Sequence, residues 1–520
     1  MKPMTKQTDA MISRRLFVTA GAAALVLPAS AVRAAIDANP FTLGIASGSP
    51  QDTNIILWTR LALAPLVGGG MPAATLPVHY LVCADAAMRK VVRQGTIDAR
   101  PEDAHSVHLK VEGLQPGREY WYRFAVGEYT SATGRTRTSN AQDANARLVL
   151  ASCQAWETGY YAAYADIAAW APDCVIHVGD YIYEGGIAPL GPVQGESNGD
   201  TVRHTVVRQH NSAEILSLYD YRNRYAQYRQ DASLQAAHAA SPWIMAMDDH
   251  EIDNNWAGDV PQDPDKQTAL EFKVRKLAAL KAYWEHMPIE QPPEIAGLQA
   301  SLRMHGLYRF GPAQVHLLDT RQFRSDQACS DPFIGNGCAE LADPARTMLG
   351  SAQEAWLFDA LGKSAAPFNV LASQTWLAPY RHTPVGAPFT GNTDQWDGYP
   401  VARQRLLDVL SGVANPVAIT GDWHCAAAHS LTRNADDPAS MRIGHEFSGT
   451  SISSVCPWAG QMERSQVHNP QTRYFNGRQR GYTRFTVDHK RWTTEFRVVA
   501  DVTNPVSAVV TDREIRTSDI

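Results

Sequence analysis

Two apolar runs in this chain end in the same pair of residues. Cys174 to Val178 stops at Gly179-Asp180, with Tyr183 three positions on; Val417 to Thr420 stops at Gly421-Asp422, with His424 two positions on. Ligands of open sheets gather just past the carboxyl ends of strands. A carboxylate, a phenolate and an imidazole brought together by two such ends suit a hard trivalent iron beside a second cation. One carboxylate can bridge two cations through its two oxygens, which is the part expected of Asp180. A ferric ion would also stabilise the phenolate of Tyr183 against its ordinary pKa of about 10. The chemistry to which this set points is metal-dependent hydrolysis of phosphate esters.

The elements that must hold these residues follow from the patterning. From Phe41 to about Thr138 short alternating strands are separated by turns, as in NIILWTRL, VHYLVCAD and REYWYRFAVG. Such a run predicts an all-β sandwich, and EGLQPGREYWYRFAVG resembles the end of a fibronectin-type sandwich. The small polar stretch from Ser139 to Ala146 reads as a linker. Beyond Arg147, strands alternate with helices, which predicts a layered α/β domain. Pro189 to about Thr205 reads as an insertion beside the site. The expected division is a signal segment over 1–34, a fibronectin- or Ig-like β-sandwich over 38–139, a catalytic α/β domain over 146–505 and a tail over 506–520.

The 520 residues are 44% hydrophobic and 19% charged, with a formal net charge of -6. That balance is ordinary for a globular protein and offers no nucleic-acid-binding platform. Ser13-Arg14-Arg15-Leu16-Phe17 is a twin-arginine signature, and the apolar stretch after it is shorter than the about 20 residues of a membrane span. Cleavage would follow Ala29-Ser30-Ala31 or Val32-Arg33-Ala34. The expected partners are therefore the twin-arginine export machinery for the precursor and a small phosphate ester for the mature form, without a membrane span, in the periplasm or secreted. Of seven cysteines, Cys329 and Cys338 flank a glycine-containing loop and are the expected disulfide. Five remain, an odd number, and Cys153 at the end of RLVLAS is the candidate for a different use.

Read in order, IASGSPQDTNIILWTR, LASCQ, HVGDYIYE, DDHEIDNNW, LLDTRQFR, SQTW and ITGDWH resemble the PhoD-like alkaline phosphatases, within the calcineurin-type metallophosphoesterases. The resemblance covers nearly everything after the signal. It implies a four-layer α/β/β/α catalytic domain and an exported phosphomonoesterase or phosphodiesterase using Fe3+ with one or two Ca2+. Some relatives are described as phospholipase D, so a diesterase of that type on the same site is the alternative, and an exported binding protein without activity is a remoter one. The family places a thiolate on iron where this chain has Cys153. Where most metallophosphatases carry Gly-Asn-His, this chain has Asp248-Asp249-His250, so Asp249 takes the metal position and His250 faces the phosphate, stabilising charge or protonating the leaving alkoxide. Asp422 stands where a histidine is usual, and oxygen ligands at both places favour calcium. The implied set is Cys153, Asp180, Tyr183 and His424 on iron, and Asp180, Asp249 and Asp422 on calcium. A metal-bound hydroxide or oxide would then attack phosphorus in line. Two further residues rest on local reading. Asn255 is the first choice for an added calcium ligand, against a plain capped turn. Arg321 either grips phosphate oxygens or pairs with Asp319.

Overall fold

The computed structural model describes residues 36–518 apart from 198, 332 and 385. The expected signal segment, twin-arginine signature included, lies outside the described residues.

Two large sheets carry the molecule. The first has nine strands, in the order Val509–Arg516, Trp492–Val499, Gly481–Asp488, Asn145–Ala151, Cys174–His177, Pro242–Met245, Ile45–Gly48, Asn54–Arg60 and Ser106–Glu112. The second has seven: Gly306–Phe310, Ala313–Leu317, Phe368–Ala372, Pro416–Thr420, Arg442–Ser448, Ala426–Thr432 and Thr472–Asn476. Their central strands are buried along their whole length, as parallel strands covered on both faces must be. The inner faces share one core, in which Leu148, Leu150 and Phe485 join Val315, Val370, Ile419 and Phe447. Helices Ser351–Gly362 and Pro400–Leu410 close the outer face of the seven-stranded sheet through Leu357, Leu361, Leu406 and Leu410. Helices Ala162–Trp170, Ala232–Ala240 and Ala269–His286 pack into the core of the nine-stranded one.

The amino-terminal strands do not form a separate pair of sheets. Ile45–Gly48 runs parallel to Pro242–Met245, with Ser47 opposite Pro242 and Gly48 opposite Trp243. A Cβ on Gly48 would lie 2.2 Å from Pro288 O, so this join needs glycine. Trp58 adds an indole bond to Glu285 O at 3.1 Å. A five-stranded sheet (Val91–Ala99, Leu76–Cys83, Glu119–Val126, Tyr129–Thr130 and Gly134–Arg137) packs its apolar side chains on these extension strands. The expected tail is likewise an element of the sheet: Val509–Arg516 is its edge strand. The expected insertion is a hairpin, Gly191–Ser197 with Asp200–Val206, pinned by Asp200 to Arg464 of helix Ala459–Ser465.

This topology decides where the site is. Asn145–Ala151, Cys174–His177 and Pro242–Met245 are mutually parallel neighbours, as are Ala313–Leu317, Phe368–Ala372 and Pro416–Thr420. The carboxyl ends of both triplets open at one edge of the core.

Candidate metal centre

Glycine lets these strand ends approach. A Cβ on Gly179 would sit 2.3 Å from Asp248 Cβ, and one on Gly421 would sit 2.6 Å from Ser152 Oγ. The residues that follow take left-handed backbone angles although they are not glycine: Cys153 at φ 58°, Asp180 at 58°, Asn255 at 52°, Asp422 at 65° and His424 at 54°. Such conformations cost of order 1 kcal/mol each and collect at functional sites, where the surroundings enforce them. Here they turn the side chains inward.

The thiol of Cys153, a carboxylate oxygen of Asp180 and a ring nitrogen of His424 lie within 4.8 Å of one another. Tyr183 completes the group. Its hydroxyl donates to Asp180 Oδ2 at 2.9 Å and lies 3.2 Å from His424 Nε2. His424 Nδ1 is 2.5 Å from Val455 O, a bond that commits Nδ1 as donor and leaves the Nε2 lone pair facing the cluster. Two further groups adjoin it: Asp180 with Asp249 and His250, and Asp248 with Asp249 and Asp422. The three groups therefore form one chain of donors joined through Asp180 and Asp249.

Burial governs the charges. It pushes Asp180 and Asp422 up to about 7, Asp249 adding to both, and lifts Asp248 well above the carboxylate range. Asp249 goes the other way: burial would raise it, but Arg321 and His250 outweigh burial and hold it below the usual range. Burial, then Asp180, lifts the Cys153 thiol and the Tyr183 phenol well above their ordinary values. His424 falls to about 4 through burial and then Arg480, so its imidazole is neutral and able to bind a metal. His250 would be lowered by burial, but Glu184, Asp249 and Asp180 keep it protonated.

A set of acids that cannot all ionise together is the setting in which bound cations supply the missing charge. One observation shows the fit directly. Asp180 Oδ1 is buried and receives no hydrogen bond from a donor group of the described residues, and the acidic side chain beside Asp180 is another carboxylate, Asp249, with which it can only share a proton. The thiolate, phenolate, imidazole and carboxylate donors match a trivalent iron, and the oxygen-rich remainder matches a hard dication.

Each residue expected from the sequence has a definite place. Cys153, Asp180, Tyr183, Asp249, Asp422 and His424 converge. His250 lines the same cluster, its Nδ1 2.7 Å from Glu184 Oε2 and its ring 4.1 Å from that of Tyr183. Asn255 donates its backbone N–H to Asp249 Oδ2 at 2.8 Å, while its side-chain amide is directed to Asp331 Oδ2 at 3.2 Å. Arg321 differs from expectation. Its Nε donates to Asp248 at 2.6 Å and its two terminal nitrogens grip Asp394 at 2.7 and 2.8 Å. Only 1% of the side chain is exposed, so the fork is occupied by protein carboxylates and does not reach out to a phosphate. From Arg321 the Asp319 carboxylate accepts the backbone N–H and not the guanidinium, and Gln322 supplies its other donors.

Four more residues hold the centre. Glu251 accepts from the N–H groups of Asp180, Tyr181 and Asp248 at 3.1, 2.6 and 2.8 Å, stapling two strand ends together. Gln395 donates to Asp422 Oδ2. Ser454 and Arg480 bind the loops of Cys153 and His424. Glu251 could have been suspected from its place in DDHE; the other three carry no local signal.

A solved purple acid phosphatase from yellow lupin (Lupinus luteus) superposes with a TM-score of 0.54 at 11% identity, over 90% of this chain and 74% of that one. That likeness concerns the fold alone. A solved structure described as PhoD superposes with a TM-score of 0.85 at 41% identity, over 92% of this chain and 91% of that one. Alkaline phosphatase D of Bacillus subtilis (strain 168) is 43% identical over 482 residues, 91% of this chain and 80% of the relative. The PhoD-like phosphatase profile matches residues 148–496, and the profile of the PhoD-like phosphatase N-terminal domain matches residues 27–140. The chain belongs to the PhoD-like phosphatase family.

Proposed function

We infer that this chain is a phosphoesterase, an alkaline phosphatase of the PhoD-like kind, that hydrolyses small phosphate esters at the cluster joined by Asp180 and Asp249. The observation that carries the reading is the meeting of three donor groups through two shared buried carboxylates, Asp180 and Asp249, with one Asp180 oxygen that receives no hydrogen bond from a donor of the described residues. Cys153, Asp180, Tyr183 and His424 would hold Fe3+. Asp180, Asp249 and Asp422, with Asn255 beside them, would hold one or two Ca2+. When bound, such cations polarise the phosphoryl group and neutralise its developing charge.

The chain's own residues have separable tasks in this reading. Glu184 holds His250 through Nδ1, which leaves Nε2 of the imidazolium to donate to a phosphoryl oxygen or to the departing alkoxide. Glu251 and Arg321 position the carboxylates and do not touch substrate. No covalent intermediate is needed, because the cluster's nucleophilic side chains are all committed as ligands.

The twin-arginine signature supports export by that machinery to the periplasm or the medium. Among the described residues no helix is long and apolar enough to cross a membrane. The amino-terminal region fits a fibronectin-like sandwich that shares one sheet with the catalytic domain, and the whole fits the four-layer arrangement.

The test is elemental analysis and an absorption spectrum of the protein isolated after export. Hydrolysis of p-nitrophenyl phosphate and bis-p-nitrophenyl phosphate is followed before and after calcium chelation. Iron near one per chain, a visible tyrosinate-to-iron band and chelator-sensitive hydrolysis are expected, and the ratio of the two substrates separates monoesterase from diesterase. Colourless protein that is active with zinc or manganese would overturn the metal assignment. Absence of hydrolysis of either ester by metal-loaded protein would overturn the function.

A further inference from the structure

We propose that Ser454 is a positioning residue for Tyr183, its hydroxyl serving as the hydrogen-bond donor to the phenolate oxygen when Tyr183 binds iron; the proposal rests on the ligation of Tyr183 inferred above. Ser454 Oγ lies 2.7 Å from the Tyr183 hydroxyl oxygen and 2.8 Å from Cys153 O. It also accepts the backbone N–H of Ala155 at 3.0 Å. A serine hydroxyl has one proton, so it serves one of two acceptors at a time. The Tyr183 phenol carries its own proton, directed at Asp180 Oδ2. Ligation would put the cation in that proton's place, release the proton to solvent and leave a charged oxygen. Charge-assisted bonds are roughly twice as strong as neutral ones, so the serine proton turns from the Cys153 carbonyl to the phenolate. The Ala155 N–H holds the serine oxygen still while only the proton swings.

Ser454 is in turn fixed by a buried cation. Arg480 Nη1 donates to His424 O at 2.6 Å, Ser454 O at 2.8 Å and Ser451 Oγ at 2.9 Å, and Nη2 donates to Gly477 O at 2.6 Å. One guanidinium thus ties the loop of the imidazole to the loop of the serine. Among the described residues no carboxylate pairs with it, and Cys153 and Tyr183 are among the acidic groups that feel its charge. The Ser454 hydroxyl on the phenolate oxygen would withdraw electron density, so Tyr183 would give less of it to a bound iron. Outer hydrogen bonds of this kind typically change metal affinity or activity by 10- to 100-fold.

Ser454→Ala and Ser453→Ala are compared with wild type by iron content, visible absorption and ester hydrolysis. Ser453 is the neighbour whose hydroxyl donates to Ala155 O and does not touch Tyr183. The expected result is a band moved to longer wavelength in Ser454→Ala, since an unbonded phenolate gives up its electrons more readily, with kcat/KM lowered roughly 10-fold. Ser453→Ala keeps the wild-type band. If Ser454→Ala fails to hold iron, Ser454→Thr, which restores a hydroxyl, must show the wild-type band. An iron-loaded Ser454→Ala with an unmoved band, or an iron-loaded Ser454→Thr with a displaced one, overturns the proposal and leaves the metal reading intact. Iron-loaded wild type without any such band overturns Tyr183 ligation and this proposal with it.

Discussion

Arg321→Gln asks whether the buried guanidinium holds the centre or holds the substrate. In the structure it joins Asp248 and Asp394, and all three side chains are at most 3% exposed. Removing one partner of a buried ion pair costs about 3–5 kcal/mol, because the remaining charge is left uncompensated. Asp394 would not be abandoned, since Arg324 Nη1 at 2.9 Å and Gln327 Nε2 at 2.7 Å still bind it. Asp249, which Arg321 helps to hold ionised from 3.8 Å, would lose that cation, and Asp248 would lose the Nε donor of Arg321. The cost therefore belongs at the lower end, about 3 kcal/mol. Denaturant unfolding of the metal-free proteins should show that deficit. Added calcium should shrink it, because a dication beside Asp248 and Asp249 replaces the lost charge. Michaelis constants for p-nitrophenyl phosphate complete the assay. A variant as stable as wild type, with KM raised and kcat unchanged, would refute the reasoning and return Arg321 to the substrate.

Metal-free protein should lose stability as pH rises. Folded Asp180 and Asp422 keep their protons up to about 7, whereas an unfolded aspartate releases its own near 4. Between those values the folded chain binds more protons than the unfolded one, a loss of up to about 4 kcal/mol for one such group. Melting of chelated and loaded protein from pH 4 to 8 reads this directly, and a metal-induced increment that does not grow with pH would contradict it. Tyr183→Phe should abolish the visible band and lower kcat/KM at least roughly 10-fold, checked by spectrum and kinetics on protein of measured iron content. Cys329 and Cys338 are bonded and close the loop that sets Asp331 on Asn255. Replacing both by serine should lower stability by about 2–3 kcal/mol, read as a shift in denaturant midpoint that reducing agent reproduces in wild type.

Much of the candidate centre was legible because the residues that converge there are punctuated locally. A buried strand that stops at Gly-Asp announces both the close approach that only glycine permits and the carboxylate that follows. The histidine two residues after Asp422 and the tyrosine three after Asp180 lie within the same turns, so their order along the chain is their order in space. The disulfide was legible for the same reason, its two cysteines flanking one short loop. Arg321 shows where this stops. Its sequence neighbourhood offered Asp319, two residues away, yet the guanidinium chose Asp248 and Asp394, each 73 residues distant. Ser454 is 271 residues from the phenol it faces, and nothing in its own segment distinguishes it from Ser451 or Ser453.

The same division holds for the fold. Alternation of apolar residues marked the amino-terminal strands as strands, but pairing depends on which edge is free when the chain collapses. Ile45–Gly48 found the open edge of Pro242–Met245, and Val509–Arg516 covered that of Trp492–Val499. The sequence by itself thus determined the residue types of the candidate centre, the turns that present them and the family to which the chain belongs, because these reside in short-range chemistry. The tertiary structure alone decided which sheet the amino-terminal strands extend, which carboxylates Arg321 neutralises and which hydroxyl meets Tyr183. Those outcomes are set by the packing of segments from 73 to 271 residues apart, where burial makes each unpaired charge or donor costly enough to select its partner.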